Sequence, residues 1–238
     1  MIRGIFFDLY GTLLVYGDMQ AAMREQMSTM QRYVVNKGCA ISTEMLTSYF
    51  QTVTSRPAPP SMDGTSRFER QLDDVCREIG LTLNDYEISE LADQCVNGWQ
   101  RHITLDPQAI PVLKSLNTSF KTALITNFDY PIHVQRTLRT LELAPLLNAT
   151  FISGAVGCAK PDRRIFDMAL SKTGLQAVEV IFVGDSIEDI QGALAAGMLP
   201  VYICRPSAAP LNLGALPTVK VIRELGELVE WLSGKKPA

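Results

Sequence analysis

From about residue 105 to residue 232 the chain alternates short apolar runs with amphipathic stretches of helical length, and no other feature limits the fold as strongly. The runs at 121–126, 150–153, 180–183, 201–204 and 219–221 read as strands, and the stretches at 108–116, 132–141, 163–173, 187–196 and 224–232 read as helices. A further apolar run, 2–7, stands near the N-terminus and ends in a polar cluster, as expected of a strand covered on both faces. Strands that alternate with helices predict a parallel sheet with helices on both sides, so the expected class is α/β with a Rossmann-like core.

Residues 18–102 have a different texture. Met19, Met23, Met27 and Met30 recur three or four residues apart, and residues 83–99 repeat apolar positions in the same way. This stretch predicts a mostly α-helical domain at 17–103 inserted into a core made of 1–16 and 104–238. The methionines are expected to form a packing face of its first helix. Residues 55–61, rich in Pro and Ser, cannot continue a helix and are expected to form a loop.

Composition excludes several classes. With 22 Lys+Arg interspersed among 25 Asp+Glu, for a net charge of −3, the chain lacks a nucleic-acid footprint. Its 5 cysteines are spread out with no C-x-x-C pair, which argues against a disulfide framework or a zinc cage. Asp8 breaks the N-terminal apolar run, and no uninterrupted apolar window reaches membrane-spanning length, so neither a signal peptide nor a membrane partner is expected. A cytoplasmic location is the resulting expectation.

In an open α/β sheet, ligands bind beyond the carboxyl ends of the strands. Four polar clusters lie there: Asp8, Tyr10 and Thr12; Thr126, Asn127 and Asp129; Lys160; and Asp185, Ser186, Glu188 and Asp189. Taken one at a time, each has an ordinary structural reading as a turn former, a helix cap or a solvated loop residue. Four such clusters on successive strand ends point instead to one site. His102 and His133, the 2 histidines, have no Ser or Cys constellation around them and read as structural. Gly11, Gly157 and Gly184 are expected to permit close backbone approach.

The segments FFDLYGTLL, LITNFD, AKPDRRIF and VIFVGDSIEDIQGA, in that order, resemble the four motifs of the haloacid dehalogenase superfamily, and the helical insert resembles its cap domain. The resemblance implies that Asp8 is a carboxylate nucleophile and that Thr126 and Lys160 act with it, Lys160 also holding Asp8 ionised. It further implies that Thr12, Asn127 and Lys160 bind the substrate. Asp185 would hold a metal together with the Asp8 side chain and the Tyr10 carbonyl, with Asp189 supporting the set.

The charges argue for a metal without the family. A carboxylate about 4 Å from a phosphate charge costs on the order of 4 kcal/mol at an effective dielectric of 20, and one lysine cannot cancel three such acids. A hard divalent ion, Mg²⁺, suits an oxygen-only donor set and neutralises it. The expected function is therefore metal-dependent hydrolysis of small phosphorylated substrates through an aspartyl-phosphate intermediate. One residue departs from the phosphatase pattern, because those relatives carry a second Asp two residues after the nucleophile, as general acid, where this chain has Tyr10. Asp129 and Glu188 are the acids left to take that role. Tyrosine at this position resembles the 2-haloacid dehalogenases, which attack carbon without a metal and would need a cationic cradle from Arg24, Arg32, Arg56 or Arg67. That reading, with a 2-haloacid as substrate, stands as the alternative, beside a non-catalytic binder of a phosphorylated ligand.

Overall fold

The computed structural model describes residues 1–56, 64–205, 211–212 and 219–234. The chain runs β1 (Gly4–Phe7), β2 (Leu14–Tyr16), α1 (Met19–Asn36), α2 (Thr43–Thr54), α3 (Arg67–Glu78), α4 (Asp85–Gln100) and β3 (Ile103–Leu105). It continues with α5 (Ala109–Leu116), β4 (Lys121–Thr126), α6 (Pro131–Thr140), β5 (Ala149–Ile152), α7 (Ser153–Val156) and α8 (Arg163–Thr173). The last elements are β6 (Val180–Gly184), α9 (Ile187–Ala196), β7 (Leu199–Ile203), β8 (Lys220–Ile222) and α10 (Leu225–Ser233).

Two compact units divide the chain, one made of Met1–Val15, Leu105–Phe128 and Val134–Ala238, the other of Tyr16–Thr104 with Asp129–His133. In the first, the described residues form six parallel strands in the order β5-β4-β1-β6-β7-β8. The chain builds outward from β1 through β4 to β5, then returns to the other side of β1 for β6, β7 and β8. This reversal opens a crevice at the carboxyl ends of the strands around β1. Phe7 lies in register with Leu124 of β4 and Val183 of β6, so the residues that follow β1 and β6 emerge side by side.

Both faces of the sheet are covered. Phe6, Ile125 and Phe182 form one cluster with Ile165, Phe166 and Ala169 of α8 and with Ala193 and Ala196 of α9. The alternate residues Ile5, Phe7, Leu124, Ile181 and Val183 are also fully buried and point to the opposite face. This double burial is why β1, β4 and β6 read as continuous apolar runs.

The second unit is helical. Its helices pack α1 on α4 and α2 on α3, and capping boxes at Ser66–Glu69 and Asn84–Glu87 start α3 and α4. The methionine stripe is buried only at Met27 and Met30; Met23 is 63% exposed, and the face continues instead through Tyr33 and Val34. Stripe and packing surface coincide only in the later turns of α1. The loop expected at 55–61 falls, from Pro57 onward, outside the described residues. Among the described residues, no helix is long and apolar enough to cross a membrane.

Candidate active site

Asp8 follows β1 directly, its amide donating to the Val183 carbonyl at 2.9 Å. Its carboxylate is buried, and Oδ1 lies 2.5 Å from Lys160 Nζ. The same ammonium lies 2.6 Å from Asp189 Oδ1. Lys160 thus bridges two carboxylates, its Nζ 5.6 Å from the ring centroid of Phe182. Asp189 starts α9 through a reciprocal cap: its amide donates to Ser186 Oγ at 3.2 Å, and its Oδ2 accepts from Ser186 N at 3.0 Å and Ser186 Oγ at 2.8 Å. Both Asp189 oxygens are therefore engaged, one by the helix start and one by the lysine.

Asp185 stands between β6 and α9. Carboxylate oxygens of Asp8, Asp185 and Asp189, one from each, lie within 4.8 Å of one another. Two glycines make this closeness possible. Gly11 has φ +89°, and a Cβ there would overlap the Asp185 carboxylate; a Cβ on Gly184 would overlap the Asp189 side chain. Gly157, expected to serve the same purpose, has open space around it and instead takes the left-handed conformation that ends α7.

Among the described residues, three acids share one cation, and the electrostatics register the imbalance. Burial pushes the Asp8 carboxyl up from its ordinary range and the Asp189 charge adds to this, while Lys160 opposes it. Burial, then the charges of Asp8 and Asp189, push Asp185 up to about 7. Burial alone would lower Lys160, but Asp189 and Asp8 outweigh it and hold the ammonium protonated. The donor set is all oxygen, with negative charge in excess, and this fits a hard divalent cation. Asp8, Asp185 and Asp189 are the residues that could hold it, each offering one carboxylate oxygen.

The other residues of the strand ends have distinct settings. Thr126 closes β4 and is buried. Thr12 is fully buried, and its Oγ1 has no hydrogen-bond partner among the described residues. The Asn127 amide is engaged at both ends by the main chain of Lys160. The Tyr10 ring is buried, stacks on Phe128 with centroids 5.1 Å apart and contacts the Thr137 hydroxyl. Burial pushes its phenol well above the ordinary range, which makes it a poorer proton donor than a free tyrosine. Glu188 is exposed on the first turn of α9. Asp129 groups with the helical unit, where Arg67 Nε lies 3.7 Å from its Oδ2.

Both histidines have structural partners: His102 meets Glu25 at 2.8 Å and His133 meets Gln100 at 3.0 Å. The five cysteines are free thiols. Sequence reading missed two features that shape this region. The Ser186–Asp189 cap was legible as a Ser followed three residues later by an acid. No sequence signal marks Arg205, whose guanidinium Nη2 lies 2.5 Å from both Asp106 Oδ2 and the Thr12 carbonyl, tying the turn after Asp8 to the chain that follows β3.

A family model described as haloacid dehalogenase-like hydrolase matches residues 2–197. The chain belongs to this family. Among its relatives, (S)-2-haloacid dehalogenase H-109 of Pseudomonas putida is 24% identical over 237 residues, covering 97% of this chain and 98% of that protein. Pyrimidine 5'-nucleotidase YjjG of Escherichia coli (strain K12) is 31% identical over 166 residues, covering 68% of this chain and 69% of that protein. The crystal structure of a HAD phosphatase from Thermococcus onnurineus superposes with a TM-score of 0.69 at 22% identity, covering 99% of this chain and 100% of that one. This member of the haloacid dehalogenase-like hydrolases thus has relatives named for dehalogenation and relatives named for dephosphorylation, on one fold.

Proposed function

We propose that this hydrolase is a Mg²⁺-dependent phosphatase of small phosphorylated substrates, with Asp8 as nucleophile and the helical unit as its cap. The observation that carries the reading is the excess of acid: carboxylates from Asp8, Asp185 and Asp189 within 4.8 Å, with Lys160 the cation paired to two of them. Attack on a neutral carbon does not call for a third acid. An anionic ester does call for a divalent cation to offset repulsion from these acids. When bound, Mg²⁺ supplies that charge and polarises a phosphoryl oxygen.

The chain's own residues do the rest. Lys160 holds Asp8 ionised and fixes Oδ1, so the other carboxylate oxygen is available to attack phosphorus. The new P–O bond forms as the bond to the leaving oxygen breaks, and the leaving group takes the electron pair. Water then attacks phosphorus, frees phosphate and restores the Asp8 carboxylate. Lys160 and the buried Thr12 and Thr126 hydroxyls are donors for the phosphoryl oxygens. Tyr10, turned toward Thr137 and Phe128, gives no proton to the leaving group, so substrates whose leaving groups depart as stable anions are favoured.

The test is hydrolysis of p-nitrophenyl phosphate. It should require Mg²⁺ and stop in EDTA, and alkyl phosphates should lag by about 10²–10⁴-fold, the usual worth of general acid–base help. Halide release from 2-chloropropionate in EDTA, with no phosphate release, would assign the site to carbon attack instead. Binding of Mg²⁺ and phosphate without turnover of either substrate would make the protein a binder.

A further inference from the structure

We infer that Asn127 is a positioning residue for Lys160: through the lysine main chain it sets the point from which the ammonium reaches Asp8 and Asp189. Asn127 follows the last residue of β4, and its side-chain amide meets Lys160 twice. Nδ2 donates to the Lys160 carbonyl at 2.9 Å, and Oδ1 accepts from the Lys160 amide at 2.8 Å. The pair of bonds reproduces, with a side chain, the exchange that a neighbouring strand would make. Lys160 needs it because it stands in the turn between α7 and α8, outside any strand or helix.

A lysine stem has four rotatable bonds and loses about 2 kcal/mol of conformational freedom when fixed. Here its Nζ must meet one carboxylate at 2.5 Å and another at 2.6 Å at the same time, in a buried setting. Fixing the backbone at the root of the stem shortens the list of conformers that satisfy both. With one donor and one acceptor committed to Lys160, the amide acts on the reaction through the lysine. The inference rests on Asp8 and Lys160 being working groups, which holds for attack at phosphorus and at carbon alike.

A double-mutant cycle tests it. Asn127→Leu, with Asn127→Ser as a smaller second variant, is combined with Lys160→Met, and p-nitrophenyl phosphate hydrolysis is followed in Mg²⁺. A misplacement near 1 Å costs about 10²-fold, so the Asn127 variants should lose about that much in kcat with KM within about threefold. In the Lys160→Met background they should lower the rate no further. Multiplying effects, or a rise in KM with kcat kept, would mean that Asn127 meets the substrate itself, and would overturn the inference. Should Lys160→Met turn over too slowly to time, calorimetric binding of inorganic phosphate in Mg²⁺ by wild type, the three single variants and the two double variants must show the Asn127 changes adding nothing in the Lys160→Met background. Hydrogen exchange of residues 158–162 needs no substrate and separates this inference from the phosphatase reading. Protection there should fall in both Asn127 variants, and unchanged protection overturns the inference whatever the protein hydrolyses.

Discussion

Lys160 carries a load that a single lysine meets only when it is buried between acids, and the substitutions around it separate nucleophile from support. Asp8→Asn keeps the shape and removes the anion, so hydrolysis should fall to background while a circular dichroism melt still shows a folded protein. Tyr10→Phe makes the opposite case. The phenol is hydrogen-bonded to Thr137, and burial and the Asp8 charge both hold it protonated, so the variant should keep hydrolysis of p-nitrophenyl phosphate within about threefold of wild type. It should lose about 1 kcal/mol in a urea titration, the worth of one hydrogen bond. A loss of 10²-fold in rate would show that the phenol takes part in proton transfer.

At the scale of elements, the start of α9 serves the helix and the site together. Ser186→Ala removes the hydroxyl that accepts from the Asp189 amide and donates to its carboxylate, and should cost about 1 kcal/mol in chemical denaturation. The same helix shows why much of the core was legible. Bounds read from sequence for α8 and α9 agree with the structure because each amphipathic helix lies between a side-chain cap and a glycine, Asp162 and Gly174 for α8 and Ser186 and Gly197 for α9, and those for β4 agree because its apolar run is flanked by Lys121 and Asn127. β2 and β3 were not legible, since three residues are too few to show a period. Asp8, Lys160, Asp185 and Asp189 could be gathered from sequence because strand ends of a parallel sheet converge. The partners of Asn127 and Tyr10 could not, because they depend on which way a side chain turns. Gly157 misled for a related reason: a glycine after a short helix and a glycine under a carboxylate look alike until the neighbours are placed.

For the whole molecule, the acidic site makes stability depend on pH and metal together. Asp185 has a folded value of about 7, far above its ordinary 3.8, and burial with the Asp8 and Asp189 charges is the cause. Its protonated form is therefore favoured by folding. The metal-free protein loses stability through this group as pH rises from about 4 to about 7, with no further change above. Asp8, shifted in the same direction, adds to the loss. A divalent cation reverses the sign, because it binds the ionised acids and must displace their protons at low pH. The rise in melting temperature on adding Mg²⁺ should thus be small at pH 5 and grow until about pH 7.5, and Asp185→Asn should abolish most of it. In EDTA the same variant should melt higher than wild type at pH 8, since it removes a largely buried charge that Lys160 only partly offsets. Equal Mg²⁺ shifts at both pH values, or an Asp185→Asn variant less stable than wild type in EDTA at pH 8, would show that the three carboxylates are already neutralised within the folded chain and have no need of a cation.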